Sequence, residues 1–410
     1  MIKRTIYPQL KKHLDSGKIT LITGPRQSGK TTLMKMLMFE LEKKDKQFVY
    51  LNLDIENDFR VLKTQESLKN YLGLELGTSE KTYVFIDEIQ RKINAGVFLK
   101  GLYDQSLPYK FIVSGSGSVE LKEKVSEGLS GRKKTFKLST VSFLEFINYM
   151  TDYKYEDNLE DYLRSDFFDT NLLHRYLQFG GYPEIVTTEI RDEKIDIIES
   201  IYESFVDKDI KQLLDIRNSN AFIDILAFLS TRIGQLTDRS SISNAVNISY
   251  DTTREYIYYL EKTFILDIVR PYSTNPETEI SKTPVYYFID LGMRNFVFNK
   301  MSNYNPLVSG SMLFQNLVYG LLKEKYPSEI KYWRTKDQAE VDFVIDHGGD
   351  VVPVEVKFSN LEKLSIGKSL HSFINKYKPK ECFVVNLSMR AERKVKETVI
   401  RFVPYWELIS

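Results

Sequence analysis

Residues Gly24 to Thr31 constrain the fold of this chain more than any other segment. They read Gly-x-x-x-x-Gly-Lys-Thr, follow the apolar run Ile19–Ile22, and precede Thr32–Glu42, whose leucines and methionines have helical spacing. Strand, glycine-rich loop and helix in this order form a phosphate-binding loop. The glycines let backbone N–H groups converge on phosphates, and the helix start adds positive potential. The segment therefore predicts a nucleotide site, with a chance Lys-Thr in a glycine-rich turn as the alternative.

The residues of this loop have distinct expected roles. Lys30 would reach the β and γ phosphates of a nucleotide, and the Thr31 hydroxyl would ligate Mg²⁺. Nucleotide contacts are predicted along the whole loop, at Gly24, Pro25, Arg26, Gln27, Ser28, Gly29, Lys30, Thr31 and Thr32. The sequence thus predicts ATP and Mg²⁺ as ligands.

Composition limits the class of protein. With 42% hydrophobic and 28% charged residues over 410 positions, the chain is typical of a soluble protein of two or three domains. No apolar run approaches the roughly 20 residues that span a bilayer, and we expect no signal peptide because no apolar region follows the basic residues Lys3 and Arg4. The single cysteine, Cys382, and four scattered histidines exclude a disulfide framework and a zinc cluster. We expect a cytoplasmic protein without membrane association. The net charge of +1 gives no global argument for nucleic acid.

Four regions are predicted along the chain, at residues 1–147, 148–219, 220–304 and 305–410. The first alternates strand-like and helix-like segments, as in a parallel sheet covered by helices. The second is helical and charged, and is interrupted by the turn Gly180–Pro183. The third has the order of a winged helix, namely helix, turn, helix and hairpin, with residues 272–284 as the wing. The fourth reads αβββαβ.

A second strand-like run carries acids at its end. The apolar segment Tyr83–Ile86 precedes Asp87 and Glu88. In open α/β sheets, ligands bind at the carboxyl ends of the strands. Asp87 is therefore expected to hold Mg²⁺ through water, together with Thr31. Glu88 would polarise the attacking water as a general base.

Two further residues have competing interpretations. Ser114 follows the strand-like run Phe111–Val113, where its hydroxyl would sense the γ phosphate; an ordinary Ser/Gly turn is the alternative. Arg132 is either an arginine finger, in its own subunit or in a neighbour, or a solvated member of a basic run. The predicted catalytic residues are therefore Glu88, Lys30, Arg132 and Ser114.

At these residues the chain resembles the AAA-type P-loop ATPases. More narrowly, it resembles a widespread bacterial and archaeal family that joins such an ATPase to an uncharacterised C-terminal region. The resemblance rests on the segments GPRQSGKTTL, FIDEIQ, IVSGSGS, LSGR, GGYPEIV, YLEKTFIL, EVDFVI and VPVEVK. It implies a sheet order of 5-1-4-3-2, a winged-helix module and a restriction-endonuclease-like C-terminal domain.

The third region has two interpretations. In a DNA-binding winged helix, Thr252, Thr253 and Arg254 would face base edges. The same helix also carries acidic residues, among them Glu255, which weaken binding to phosphates. A packing or protein-interaction module is therefore the alternative.

The fourth region contains Asp342, Glu355 and Lys357. Strand periodicity puts Glu355 and Lys357 on one face, and a hairpin through residues 347–350 would bring Asp342 to that face. Two carboxylates and an ammonium there resemble the PD-(D/E)xK nuclease pattern, which binds Mg²⁺ and activates water. In the family the preceding helix often carries a Glu, but Gln315 stands there and supplies no charge. We therefore expect weak metal binding and slow or absent cleavage, with a nuclease-like fold used for binding as the alternative.

Three functions compete at this point. The leading one is an AAA-type ATPase that hydrolyses Mg-ATP as a nucleotide-driven switch or remodeller, in one version on or near DNA. The second is an ATP-regulated nuclease, and the third is a DNA-binding regulator with a structural nucleotide. ATP is the expected partner in all three. DNA, through the winged helix or the C-terminal domain, and a second copy of the chain are further candidate partners.

Overall fold

A computed structural model describes most of the chain. The described residues are 1–76, 82–116, 129–213, 216, 218–273, 282–299, 301, 304–327 and 329–408. Among their helices, none combines the length and the apolar character that crossing a membrane requires.

The first region is a parallel sheet with helices on both faces. Its described strands are β1 (Ile19–Gly24), β2 (Phe48–Asn52), β3 (Thr82–Asp87), β4 (Tyr109–Ser116) and β5 (Lys133–Lys137). They lie in the order β2-β3-β4-β1-β5, and every neighbouring pair is parallel. This is the order 5-1-4-3-2 that the resemblance implies, so that prediction is confirmed.

Helices bury both faces of this sheet, which is why β1 and β3 are buried along their whole length. The helices are α1 (Tyr7–His13), α2 (Lys30–Glu42), α3 (Glu56–Val61), α4 (Gln65–Leu76) and α5 (Ala95–Asp104). The helically spaced Leu33, Leu37 and Leu41 of α2 pack on one face. Leu68 of α4 and Leu99 of α5 pack on the other. The carboxyl ends of β1, β3 and β4 therefore meet at one edge.

The second region is helical. It begins with α6 (Phe143–Met150), which starts before the predicted boundary at residue 148, and continues with α7 (Leu159–Arg164), α8 (Asn171–Phe179), α9 (Pro183–Thr187), α10 (Arg191–Ser204) and a π-helical segment, Phe205–Leu213. Gly180 and Gly181 form a close contact with the third region. The Gly181 N–H donates to Asp290 at 2.8 Å, and a Cβ on Gly180 would lie 2.3 Å from the Asp290 Oδ1. The φ of Gly180 is 71°, so both space and backbone favour glycine there.

The third region follows the predicted order of elements. Its elements are α11 (Ser219–Ser230), α12 (Arg239–Val246), α13 (Tyr250–Lys262), the antiparallel strands β6 (Leu266–Val269) and β7 (Val285–Phe288), and α14 (Leu291–Val297). Asp290 caps α14 by accepting from the Met293 N–H at 3.0 Å. Most of the predicted wing, at residues 274–281, lies outside the described residues.

The fourth region is a mixed sheet between two helices. Its elements are α15 (Pro306–Lys325), β8 (Ile330–Arg334), β9 (Glu340–His347), β10 (Asp350–Val356), α16 (Lys368–Tyr377), β11 (Glu381–Asn386), β12 (Ala391–Val395) and β13 (Thr398–Pro404). The strand order is β12-β13-β11-β10-β9-β8. The edge strand β12 was not predicted, because its polar sequence Ala-Glu-Arg-Lys-Val shows no apolar alternation, and edge strands are often charged.

The later regions share one apolar core. Phe143 from α6 packs against Tyr405, with ring centroids 5.6 Å apart, and Tyr405 packs against Phe314 from α15 at 5.3 Å. The same cluster includes Phe222 from α11. The mixed sheet is therefore packed against the helical region.

Candidate nucleotide site

The loop between β1 and α2 has the geometry that its sequence predicts. Lys30 opens α2, and its Nζ donates to the carbonyl oxygens of Gly24 at 3.1 Å and Pro25 at 2.6 Å. Burial lowers the pKa of Lys30 to about 8, although the Glu88 and Asp87 carboxylates raise it. Gly29 has a φ of 97°, which favours glycine. The ammonium is therefore held inside the loop, where phosphates would bind.

Asp87 receives hydrogen bonds from three hydroxyls. Thr31 Oγ1 donates to Asp87 Oδ2 at 2.6 Å, and the Tyr50 hydroxyl donates to the same oxygen at 3.0 Å. The Ser114 hydroxyl donates to Asp87 Oδ1. Thr31 and Asp87, the two residues predicted to hold Mg²⁺, are thus in contact. Their oxygen donors are of the kind that Mg²⁺ prefers, so this donor set fits the ion.

Glu88 is held next to this contact in an uncommon backbone conformation. Its φ of 57° and ψ of 41° place it in the left-handed region, which non-glycine residues often adopt at functional sites. The Gln90 side-chain amide donates to Glu88, and the Gln90 Oε1 accepts from the Ser116 N–H at 3.2 Å. Burial raises the pKa of Glu88, and the charge of Lys30 opposes this. A raised pKa suits a general base near neutral pH.

The structure separates the two residues that had competing interpretations. Ser114 lies at the nucleotide edge, where its hydroxyl orients Asp87. Arg132 lies at the opposite edge, because the Ile19 N–H at the start of β1 donates to the Arg132 carbonyl at 2.9 Å. The six residues of β1, roughly 16–20 Å, separate Arg132 from the loop. Its guanidinium pairs with Asp104 at 2.6 Å. In this position the Arg132 guanidinium lies far from the loop of its own subunit, and action in a neighbouring subunit stays a prediction.

Sequence reasoning missed Asp209, which the fold brings to the loop. Asp209 lies in the π-helical segment, is 3% exposed, and pairs with the Arg26 guanidinium. It also accepts from Ser116 Oγ at 3.4 Å. Burial raises the pKa of Asp209, against the charge of Arg26. One signal could have found it: Ile201, Phe205 and Asp209 recur every four residues, so an acid stands on an apolar helical stripe.

Two more residues join the loop to its surroundings. Arg4 donates from Nη1 to the Ser28 carbonyl at 2.9 Å and pairs with Glu145 of α6 at 2.9 Å. Pro183 Cγ lies 3.9 Å from where a Cβ on Gly29 would stand. The GGYP turn of the second region therefore packs on the phosphate-binding loop.

Three segments of the chain match family models. Residues 16–147 match the model of an AAA domain. The phosphate-binding loop, the acids at the end of β3 and the strand order agree with this match. The N-terminal region is therefore similar to the P-loop domains of the AAA type. Residues 170–304 and 311–408 match the models of two domains of unknown function.

Relatives are similar to this chain over most of its length. An uncharacterized protein of Haemophilus influenzae is 25% identical over an alignment of 370 residues, which covers 87% of this chain and 87% of the relative. An uncharacterized protein of Methanocaldococcus jannaschii is 24% identical over an alignment of 409 residues, which covers 95% of this chain and 88% of the relative. The similarity therefore extends beyond the AAA-type domain.

Solved structures are similar only at a coarse level. AMPPCP-bound DnaA from Aquifex aeolicus has a TM-score of 0.33 and 16% identity, over 63% of this chain and 88% of that one. The Aeropyrum pernix ORC1 protein in complex with DNA has a TM-score of 0.30 and 12% identity, over 74% and 92%. TM-scores this low carry no argument about function.

The predicted acidic cluster of the fourth region does form. Lys357 Nζ donates to Glu355 Oε1 at 2.7 Å, and Asp342 lies beside them. Both oxygens of Asp342 already accept hydrogen bonds, from Gln315 Nε2 at 2.9 Å and from the Val356 N–H at 2.7 Å. Burial, and then the charge of Glu355, raises the pKa of Asp342 to about 7.

The third region covers part of this cluster. A Cβ on Gly234 would lie 2.7 Å from the Gln315 Oε1, so the turn after α11 packs on the glutamine. Within the described part of the chain, no group of three or more His, Cys, Asp or Glu side chains is placed to hold a metal ion. The cluster is therefore internally hydrogen-bonded and faces protein on one side.

One residue predicted to face DNA is buried. Thr253 is 0% exposed, and its hydroxyl donates to the Ser249 carbonyl at 3.0 Å. In the DNA-binding interpretation Thr253 would face base edges, and the structure does not place it there, because Thr253 shares the buried face of α13 with Tyr256 and Leu260. Arg254 remains exposed.

Proposed function

We propose that this chain binds and hydrolyses Mg-ATP, and that the bound nucleotide switches the position of its helical region. The observation that carries this proposal is the convergence of Lys30, Thr31, Asp87 and Glu88 at one edge of the AAA-type sheet. Such convergence is what phosphoryl transfer to water needs, since its catalysis is mainly positioning and charge neutralisation.

Each residue has one task in this proposal. The Lys30 ammonium neutralises the β and γ phosphates, which the loop N–H groups and the start of α2 also contact. Thr31 and Asp87 would hold Mg²⁺, which neutralises charge on the β and γ oxygens. Glu88, oriented by Gln90, takes the proton of the attacking water.

The contacts of the loop support a switch. Arg26 pairs with Asp209, and Pro183 packs near Gly29. These two contacts join the loop to the second region. Gly181 in turn donates to Asp290 of the third region. A phosphate entering the loop has to displace or reorganise neighbours that belong to other regions. Nucleotide state and the position of these regions are thus coupled.

Two measurements on the full chain test the proposal. Phosphate release from ATP with Mg²⁺ tests hydrolysis, and amide hydrogen exchange of residues 180–187 and 289–297 with ATP and with ADP tests the switch. We expect the wild type to hydrolyse ATP. We also expect the amide exchange of these segments to differ between the ATP-bound and ADP-bound states. The exchange is measured on Glu88→Gln, so that ATP stays intact. Absence of Mg²⁺-dependent turnover would remove the hydrolytic function. Identical exchange with both nucleotides would remove the switch.

We further propose that Arg132 acts on the nucleotide of a neighbouring copy. Its partly exposed side chain, away from its own loop, suits action in trans. Arg132→Ala should then slow hydrolysis far more than it weakens ATP binding, and turnover per chain should rise with protein concentration. Asp104→Ala is the matched control, because it breaks the same ion pair but keeps the guanidinium. If both variants lose the same amount of ATP turnover, or if a monomer hydrolyses ATP at a rate per chain that does not depend on protein concentration, Arg132 is not an arginine finger acting in trans.

A specific surface favours contact with nucleic acid as a second function. On α13, Tyr250 is 48% exposed and Tyr258 is 45% exposed, and the exposed Arg254 lies between them at a spacing of four. Aromatic and cationic side chains on one stripe suit stacking and phosphate contacts. The element order of the third region is that of a winged helix, which supports the same proposal. Asp251 pairs with Arg254 at 3.5 Å, and its negative charge limits the attraction of Arg254 for phosphates.

Fluorescence anisotropy with labelled single-stranded and duplex DNA tests this surface. Arg254→Glu should weaken binding, while Lys100→Glu, an exposed charge reversal on α5, should leave it nearly unchanged. If both variants bind as the wild type does, or if the wild type binds neither DNA at low salt, α13 is a packing element.

We propose no nuclease activity for the fourth region. Its carboxylate Asp342 is already satisfied by an amide and a backbone N–H, and Lys357 is paired with Glu355. The cluster then serves to hold α15 to the β9–β10 hairpin, since Gln315 joins the two. In this proposal the residues are arranged as in a nuclease but have a binding or structural role.

A further inference from the structure

The third residue of the phosphate-binding loop is engaged by an acid from another region. The Arg26 side chain is 16% exposed and pairs through Nε with Asp209, whose side chain is 4% exposed. Asp209 also accepts from Ser116, which is the register partner of Gly24 where β1 and β4 end side by side. Asp209 thus sits over the junction of the two strands that frame the loop.

A carboxylate in this place is unfavourable for a phosphate ligand. A buried carboxylate needs a cation or hydrogen bonds, and Asp209 obtains them from Arg26 and Ser116. The charge of Asp209 also acts on Lys30, where it raises the lysine pKa. Both cations of the loop are therefore under the influence of one acid. A bound triphosphate would bring more negative charge to the same two cations.

We propose that Asp209 is a positioning residue that holds Arg26 in the nucleotide-free protein and yields it to the phosphates when ATP binds. The inference rests on the proposed ATP function. Asp209 and the phosphates compete for one guanidinium, which can make strong paired hydrogen bonds with either. Once Arg26 turns to a phosphate, Asp209 is left buried without its cation, which is costly. The segment that carries Asp209 then has to move.

The surroundings of the pair restrict any movement of Arg26 alone. The cavity beside the pair has a volume of about 10 Å³, which is room for one water at most. Its walls come from three regions, including Tyr182 of the GGYP turn, Phe205 of the π-helical segment and Ile265 after α13. π-Helical turns are uncommon and are frequent at functional sites. Reorientation of Arg26 is therefore coupled to a shift of residues 205–213.

Nucleotide affinities of the full chain test the competition. The probes are AMPPNP with Mg²⁺ and ADP with Mg²⁺, measured by calorimetry. Asp209→Asn should bind AMPPNP about tenfold more tightly than the wild type, because Arg26 is released at no cost. Arg26→Gln should bind it more weakly. In the Arg26→Gln background, adding Asp209→Asn should tighten binding less than it does in the wild type, because only the effect of the Asp209 charge on Lys30 and the phosphates then remains. A merely structural role of Asp209 predicts the opposite sign, which is weaker binding in Asp209→Asn.

A measurement on the unmodified protein keeps the inference falsifiable if Asp209→Asn misfolds. Amide exchange of residues 205–213 should be faster with AMPPNP than without nucleotide. Asp209→Asn that binds AMPPNP as the wild type does, or more weakly, overturns the inference, and so does unchanged exchange of residues 205–213. A wild-type chain that binds neither nucleotide overturns the proposed ATP function itself. The two failures are therefore distinguishable.

Discussion

The carboxyl edge of the first sheet and the β9–β10 hairpin both gather carboxylates beside a lysine, but their hydrogen-bond donors differ. At the first site, Asp87 accepts from the hydroxyls of Thr31, Tyr50 and Ser114. At the second, Asp342 accepts from the Gln315 amide and from a strand N–H. A hydroxyl can rotate and offer a lone pair to a cation, whereas a backbone N–H only donates. The first site can reorganise around a metal, and the second would have to break a strand contact.

The lysines of the two sites differ in the same way. Lys30 donates to backbone carbonyls, so no carboxylate competes directly for its charge. Lys357 is in an ion pair with Glu355, whose hydrogen bond and charge raise the pKa of Lys357 although burial lowers it. The comparison shows that similar residue types at a strand end make a ligand site only when their partners leave them available.

Removing the lysine of the first site should have the largest effect. Lys30→Ala should abolish measurable ATP binding and hydrolysis, because the loop N–H groups alone cannot offset the phosphate charge. Labelled-ATP binding measures this. Lys35→Ala, on the exposed face of the same helix, is the matched control. Normal ATP affinity in a folded Lys30→Ala variant would place the nucleotide site elsewhere.

Removing the proposed base should separate binding from turnover. Glu88→Gln should keep ATP bound and slow hydrolysis by roughly 10²–10⁴-fold, because Asp87 and Thr31 remain while the proton acceptor is lost. Single-turnover hydrolysis and ATP binding on the same preparation check both halves. Glu42→Gln, an exposed position at the end of α2, serves as the control. Wild-type turnover in Glu88→Gln would mean that another group takes the proton.

Alkaline pH should weaken ATP binding at the first site. The pKa of Lys30 is lowered to about 8 by burial, and only the ammonium form binds phosphate well. Above this pH, binding requires uptake of a proton, so affinity should fall by up to about tenfold per pH unit. Calorimetry at pH 7 and 9, in buffers of different ionisation enthalpy, measures the affinity and the proton uptake. A flat profile without proton uptake would show that Lys30 is already fully charged.

Adding a carboxylate to the second site should make its metal binding more like that of the first site. We expect this change to have the smallest effect of the four. Gln315→Glu adds a third carboxylate beside Asp342 and Glu355, so it should destabilise the metal-free protein and increase Mn²⁺ affinity severalfold. Thermal unfolding and calorimetry with and without Mn²⁺ test this, with the exposed Gln47→Glu as control. If the wild type cleaves DNA with Mg²⁺ and Lys357→Ala does not, the second site is available to a metal ion and the contrast between the two sites is wrong.

Local patterns were enough to predict the elements that make up the first site. The spacing of the loop residues, the apolar run before Asp87 and the helical spacing in α2 each lie within about twenty residues, where covalent geometry restricts the arrangement. The same holds for the hairpin that joins Asp342 to Glu355. The strand β12 was not predicted, because its charged sequence shows no periodic apolar residues.

By itself, the sequence determined the phosphate-binding loop, the acids at the end of β3 and the alternation of elements, because each depends on neighbours along the chain. Only the tertiary structure decided that Arg132 lies at the far edge, that Thr253 is buried and that Asp209 reaches Arg26 across 183 positions. These contacts depend on how separate regions pack. Packing is determined by the summed burial of many side chains, and no single spacing in the sequence records it.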